Sequence, residues 1–217
     1  MKINIFHKKH LAARTLAVIL SVVLMGFALS WLFWIDMGAD PYTVMNRAVS
    51  ARLGMSIGNW QLILNTVLFV LVLLFGSSNI GIGTLVNMTL VGYTLDFFTG
   101  LWNRTVPKEA TTQGAARLLI LALALLIFVL SAAVYMDVHL GAAPYDAVPF
   151  ILSEHLPKVS FRLVRMVCDF TCIAIGCLLG AKLQAVPVLM ALLLGPAVAL
   201  VARYGAKYFP TLLGEDD

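Results

Sequence analysis

Charge is what this chain has least of. Aspartate, glutamate, lysine and arginine make up only 12% of its 217 residues, 61% are hydrophobic, and the mean hydropathy is +0.93. A soluble domain of this length cannot hide so much apolar surface, so the lipid bilayer is the expected solvent. Histidine is also scarce. His7 and His10 flank two lysines, His139 and His155 fall between apolar runs, and no pairing resembles a metal motif such as HExxH. Cys168, Cys172 and Cys177 share one apolar run, and their spacing fits neither a CxxC redox pair nor a zinc set. They read as small packing residues. With no nucleophile–base pair, phosphate loop or metal cluster, neither an enzyme nor a cofactor is expected. The net charge of +4 sets membrane orientation and is no sign of a nucleic-acid partner.

Long charge-free runs are what the chain has instead. Thr15 to Ile35, Leu118 to Met136 and Leu183 to Ala202 are each long enough to cross roughly 30 Å of hydrocarbon. Leu53 to Leu95 is too long for one helix and breaks at Gly76-Ser77-Ser78-Asn79-Ile80-Gly81-Ile82-Gly83, which predicts crossings near 58–76 and 83–101. A sixth, near 160–180, carries Arg162, Arg165 and Asp169. Lys2, Lys8 and Lys9 before the first run, and Ala28-Leu29-Ser30 within it, loosely resemble a signal peptide. The run is longer than such peptides need, and a retained helix is expected.

The chain is also written twice. Ala12-Ala13-Arg14 and Ala115-Ala116-Arg117 each open an apolar run, and Gly38-Ala39-Asp40-Pro41-Tyr42 and Gly141-Ala142-Ala143-Pro144-Tyr145 each follow one, 103 positions apart. This divides a single membrane domain (1–217) into a first repeat over 12–102 and a second over 115–204. In each repeat a crossing is followed by a short helix and a hairpin of two crossings. Asp40 caps the first short helix and Pro41 fits its first turn; Pro144 starts the second, which Pro149 kinks or shortens. Thirteen residues of helix reach only about 20 Å, so these segments are expected at the interface or re-entrant. Three crossings per repeat make the repeats inverted. The expected architecture is therefore an all-α polytopic bundle of six transmembrane helices in two inverted three-helix repeats. With the N-terminus in the cytoplasm, Lys2, Lys8, Lys9, Arg14, Lys158, Arg162, Arg165, Arg203 and Lys207 fall inside. Arg47, Arg52, Arg104, Lys108, Arg117 and Lys182 fall outside, so both termini are expected to be cytoplasmic.

Polar residues inside the crossings point to function. A one-residue insertion in the hairpin makes the offset 104, which sets Ser56 on Ser160, Gly76 on Gly180, Gln61 on Arg165 and Asn65 on Asp169. Each pair lies at i, i+4 and shares a helix face. A charge at mid-membrane costs roughly 2.5–3.5 kcal/mol and normally faces protein or a water-filled cavity. Two readings stand. In one, a solute or ion site lies between the repeats, with Arg165 holding an anionic group and Asp169 orienting it or carrying a proton. In the other, Arg165 and Asp169 lock two helices together, and Gln61 and Asn65 are packing glue. Gly195-Pro196 interrupts the sixth crossing near its middle and Gly92 occupies nearly the same place in the third, which reads either as a break lining a cavity or as an ordinary proline kink. Asn87 and Asp96 add polar groups to that third crossing. Tyr42, Tyr145, Trp60 and Trp102 fall at boundaries, where aromatic belts form.

The glycine-proline-aromatic start of the short helix, the run Gly81-Ile82-Gly83-Thr84-Leu85-Val86-Asn87, and Pro144-Tyr145-Asp146 followed by Arg162, Arg165 and Asp169 carry a resemblance. From about residue 12 to 204 the chain resembles the YczE/YyaS/YitT group of bacterial integral membrane proteins. The resemblance implies a multi-pass protein of the bacterial inner membrane but supplies no substrate. It adds Tyr42, Tyr145 and Asp146 to the candidate solute contacts. That group carries an acidic residue after both proline-aromatic pairs; here Asp146 matches, Thr43 stands in the first copy, and Asp40 replaces a glycine.

A small-solute secondary transporter or permease is the expected function, with its site between the repeats near the midplane. Its solute would be anionic if Arg165 receives it, proton coupling would run through Asp169, and a homodimer is compatible with so small a bundle. The alternative is a non-transporting accessory or scaffold protein that stabilises or regulates a membrane partner.

Overall fold

The computed structural model describes residues 11–107 and 113–208, the side chains of 77 and 202–208 excepted. Lys2, His7, Lys8, Lys9, His10 and Lys108, and the side chains of Arg203 and Lys207, lie outside the described residues. Among the described residues the protein is all-α. In chain order the helices are α1 (Leu11–Trp34), α2 (Pro41–Leu53), α3 (Ile57–Phe75), α4 (Ile82–Thr105), α5 (Gly114–Asp137), α6 (Pro144–His155), α7 (Phe161–Leu178) and α8 (Ala185–Tyr208), with a 3-10 turn at Ser77–Asn79.

Local chemistry sets the helix ends. The Asp40 carboxylate accepts the Thr43 amide at 3.0 Å, Pro41 follows it, and α2 stops at Gly54 in the left-handed region. Ser56 starts α3 by accepting the Asn59 amide, and Ser160 starts α7 by accepting that of Leu163. The start points of α1 to α4 recur in α5 to α8 at offsets of 103 or 104. The backbone repeats in the connections too: Asp36 and His139, and Gly38 and Gly141, all have positive φ.

Helix α1 forms the centre, packing along both α4 and α5, with Val18, Val22, Leu29 and Leu32 buried. Gly26 lets α4 approach closely, because a Cβ there would lie 2.7 Å from Thr94 Cβ. Helix α3 packs on α4, α7 and α5 on α8, while each short helix reaches across the chain, α2 onto α7 and α6 onto α3. Arg117 at the start of α5 donates to the carbonyls of Ile35 and Asp36 at the end of α1, so these two helices run antiparallel.

Of the six expected crossings, α1, α3 and α5 are long and apolar enough to span a bilayer. Helix α8 has a shorter apolar stretch over Ala185–Val201, α4 is long but rich in hydroxyl and amide side chains, and α7 carries its three charges. The expected breaks at Gly92 and at Gly195-Pro196 do not occur, since α4 and α8 run through them. Gly92 serves close packing instead: a Cβ there would lie 2.6 Å from Gln61 Oε1 and 2.8 Å from Gly58 Cα. Pro196 removes one backbone donor without ending its helix. Likewise α6 continues through Pro149.

Candidate functional site

The first turns of α2 and α6 meet in the protein interior. Pro41 through Asn46 are all buried, whereas a helix lying flat at the interface would expose one face. The loop before α6 is pinned by a backbone seam in which Gly83 N donates to Leu140 O at 2.7 Å and Ala142 N to Asn79 O at 2.9 Å. Tyr135 Oη donates to the Gly83 carbonyl beside it.

This arrangement places Tyr42 on Tyr145, ring centroids 4.3 Å apart and 14° from parallel. The two rings pack on each other inside the protein, a contact that their position between runs did not suggest. Each hydroxyl donates to a polar residue midway along a long helix. Tyr42 Oη reaches Asn65 Oδ1 and Tyr145 Oη reaches Asp169 Oδ1, both at 2.7 Å. Trp102, in contrast, hydrogen-bonds Ser30 within an aromatic cluster with Phe27, Trp31 and Phe98.

A cavity of about 410 Å³ opens against this stack. It brings together Tyr42, Gln61, Asn65, Asn87, Tyr145, Asp146, Arg165, Asp169 and Gly195 from the sequence-derived candidates. Asp96, Gly92 and Pro196 are not among its lining residues; Asp96 Oδ2 instead accepts the Gly58 amide at 2.7 Å, at the start of α3. Arg165 is not free in the cavity. Its Nη2 donates to Asp146 Oδ1 at 2.9 Å, and its Nε lies 3.9 Å from Asp169 Oδ2. The i, i+4 pair expected from spacing is therefore the longer of two contacts.

Sequence reasoning missed several wall residues. Asp40 was legible as a cap but not as cavity lining, and Asp137 and His139 gave no signal beyond ending an apolar run. Burial pushes the Asp40 carboxyl above its ordinary range, and the bond from Thr43 offsets this only in part. Met25, Leu29, Phe128, Ala132 and Val198 make much of the rest apolar. Two acceptors on lining residues, Gln61 Oε1 and Asp137 Oδ2, are buried without a hydrogen-bond partner.

The cavity extends toward the end of the bundle where α5 finishes and α7 begins, at exposed Met136, His139 and Phe161. At the other end, where α1 and α7 finish, lies a second crevice of about 410 Å³ lined by Phe33, Asp36, Arg47, Arg52 and Lys182. There Arg47 sits 4.2 Å over the Phe33 ring, and Arg52 Nε donates to the Leu179 carbonyl. The central polar residues line the first cavity alone, whose volume suits the binding of a small molecule.

Comparison with known proteins agrees with a membrane location. The chain is 26% identical over 118 residues to the uncharacterized membrane protein YczE of Bacillus subtilis (strain 168), covering 54% of this chain and 52% of that protein. It is 25% identical over 162 residues to an uncharacterized protein of Haemophilus influenzae, covering 75% and 71% respectively. The match thus spans about half the length of the first relative. No solved structure matches. Residues 12–203 match the family of unknown function DUF6198, and the chain belongs to this YczE-like family of membrane proteins.

Proposed function

We propose that this protein is a small-solute secondary transporter, not an enzyme, in the bacterial inner membrane, with both termini in the cytoplasm. Its six crossings form two inverted three-helix repeats, α1 to α4 and α5 to α8, and α2 and α6 are re-entrant half-helices. The recurrence of helix starts at offsets of 103 or 104 and the reciprocal packing of α2 on α7 and α6 on α3 support this architecture. Thirteen and twelve residues of helix, about 20 Å, buried in the first turns and exposed in the last, reach from the interior to one end only.

The observation that carries the transport reading is the partly open cavity ending on the Tyr42–Tyr145 stack, with a second crevice at the opposite end. Alternating access needs a central site reachable from either side in turn, and an aromatic pair on the cavity wall is suited to gate that exchange. Asp169, bonded to Tyr145 and near Arg165, is the carboxylate placed to carry a coupled proton.

Thiol labelling tests this. In a chain with Cys168, Cys172 and Cys177 replaced, cysteines introduced at Gln61, Asn65 and Leu194 are expected to react with small membrane-impermeant reagents, from each side under some condition. Complete protection from both sides sinks transport and favours a dry bundle acting as an accessory to a membrane partner.

A further inference from the structure

We infer that the cavity takes a small organic cation, an ammonium or guanidinium group carrying N–H donors on an apolar body. This rests on the transport reading and names the solute class for the same site. The charge balance argues first. Asp40, Asp137, Asp146 and Asp169 line the cavity, against Arg165 as the one lysine or arginine among its lining residues. The N-termini of α2 and α6 also face it, each worth about half a positive charge. With every carboxylate ionised, four negative groups meet roughly two positive equivalents, a deficit of about two charges. Protonating Asp40 still leaves the cavity negative whenever Asp169 is ionised and the lining His139 is neutral.

The positive groups are already engaged. Arg165 holds Asp146 at 2.9 Å and lies near Asp169. Asp40 caps α2, and Asp146 stands in the first turn of α6, so each N-terminus has its counter-charge. An anion would have to displace Asp146 from Arg165 and then sit among carboxylates. The anionic solute that Arg165 suggested in isolation is thereby disfavoured.

The hydrogen-bond inventory argues independently. Of the two buried unpartnered oxygens on lining residues, Gln61 Oε1 lies against Gly92 in the α3–α4 contact, which leaves the Asp137 Oδ2 acceptor at the cavity mouth. Buried acceptors call for donors, which a ligand with N–H groups brings. Among the described residues the carboxylates do not form a metal-ligand cluster, so a bare divalent ion has no coordination set here. The paired tyrosines, Phe128 and Phe161 suit an organic body and a cation against ring faces. A volume of about 410 Å³ is in the range of small-molecule sites.

Three probes of similar shape test the assignment on the full-length protein in lipid nanodiscs: 2-phenylethylammonium, 3-phenylpropanoate and 3-phenyl-1-propanol. Thermal shift and calorimetry are expected to show saturable binding of the ammonium, at least tenfold tighter than of the other two. Asp137→Asn should weaken it at least fivefold, and the wild-type contrast decides if that variant fails to fold. Equal or tighter binding of the propanoate or the alcohol overturns the assignment, as does the absence of saturable ammonium binding. Asn65→Cys labelling from both sides without ammonium binding removes the cation and leaves transport. Protection from both sides removes transport whichever probe binds.

Discussion

Tyr42 and Tyr145 stand 103 positions apart in the sequence and 4.3 Å apart in space, and each hydroxyl donates to the polar residue in the middle of the next long helix. The acceptors differ. Asn65 offers Tyr42 a neutral amide, whereas Asp169 offers Tyr145 a carboxylate. Two otherwise matching contacts therefore differ by one charge, and every ionisable member of the centre except Asp40 and the tyrosine of the first copy comes from the second half of the chain.

That difference predicts unequal costs for removing the hydroxyls. Tyr145→Phe strips a buried carboxylate of a donor and should destabilise by about 1.5–3 kcal/mol, against about 0.5–1.5 kcal/mol for Tyr42→Phe. Cys172 Sγ, 3.5 Å from the Tyr145 hydroxyl, is too weak a donor to make up the loss. Reversible unfolding in mixed micelles measures both. A cost for Tyr42→Phe equal to or above that for Tyr145→Phe contradicts the asymmetry.

The Arg165 pairs predict strong coupling. Removing Arg165 alone leaves Asp146 and Asp169 close together without their cation, and breaking such a pair costs about 3–5 kcal/mol when buried. The side chains are about one-fifth exposed at Arg165 and Asp146, so the lower end applies. Arg165→Gln combined with Asp146→Asn should recover at least about 1 kcal/mol relative to the sum of the single changes. Additive costs would show that Asp146 is not Arg165's partner. Asp169→Asn, which keeps the shape and the acceptor oxygen, should leave the fold intact while abolishing proton-coupled uptake.

The glycines at the seam between α4 and the α5–α6 loop predict severe local effects. A Cβ on Gly81 would fall on the Leu140 carbonyl, and Gly141 has φ +105° and lies against Gly81 and Thr84. Gly81→Ala and Gly141→Ala should each cost more than about 3 kcal/mol, or prevent accumulation of folded protein. Gly54 has positive φ but open space around it, so Gly54→Ala should cost only about 1 kcal/mol. Similar losses at all three positions, read by fluorescence-detected size exclusion, would falsify this account of the seam.

What the sequence revealed was set by neighbours along the chain. Asp40-Pro41 caps α2 through a bond three residues away, so the start of α2 was legible, whereas Ser56 and Ser160 were legible as repeat partners and prove to be caps. The pairing of Arg165 with Asp146 was not, because 19 residues and a helix boundary separate them while Asp169 stood at the familiar spacing of four. Tyr42 and Tyr145 resembled boundary aromatics because nothing local shows that α2 and α6 begin in the interior. Asp96 stood as a candidate solute contact or as a group reaching the interface, yet its carboxylate binds the Gly58 amide across the hairpin. Gly92 looked like a break because the nearness of Gly58 and Gln61 is a tertiary fact.

Two glycines on equivalent helices separate stability from passage. Gly195 lines the cavity, and a Cβ built there meets no heavy atom within 4 Å. Gly195→Ala should therefore fold at least as well as the native protein, gaining up to about 1 kcal/mol in helix propensity. Gly195→Trp should keep most of that stability, because the indole enters existing space, but it fills the cavity and should reduce uptake by at least tenfold. Gly92→Ala should do the reverse: its methyl strikes Gln61 and the backbone of Gly58, destabilising by about 1–3 kcal/mol without narrowing the cavity. Uptake into proteoliposomes, normalised to folded protein, and thermal unfolding of the same preparations read the two effects separately. If Gly195→Trp carries solute at the native rate, the cavity is not the route.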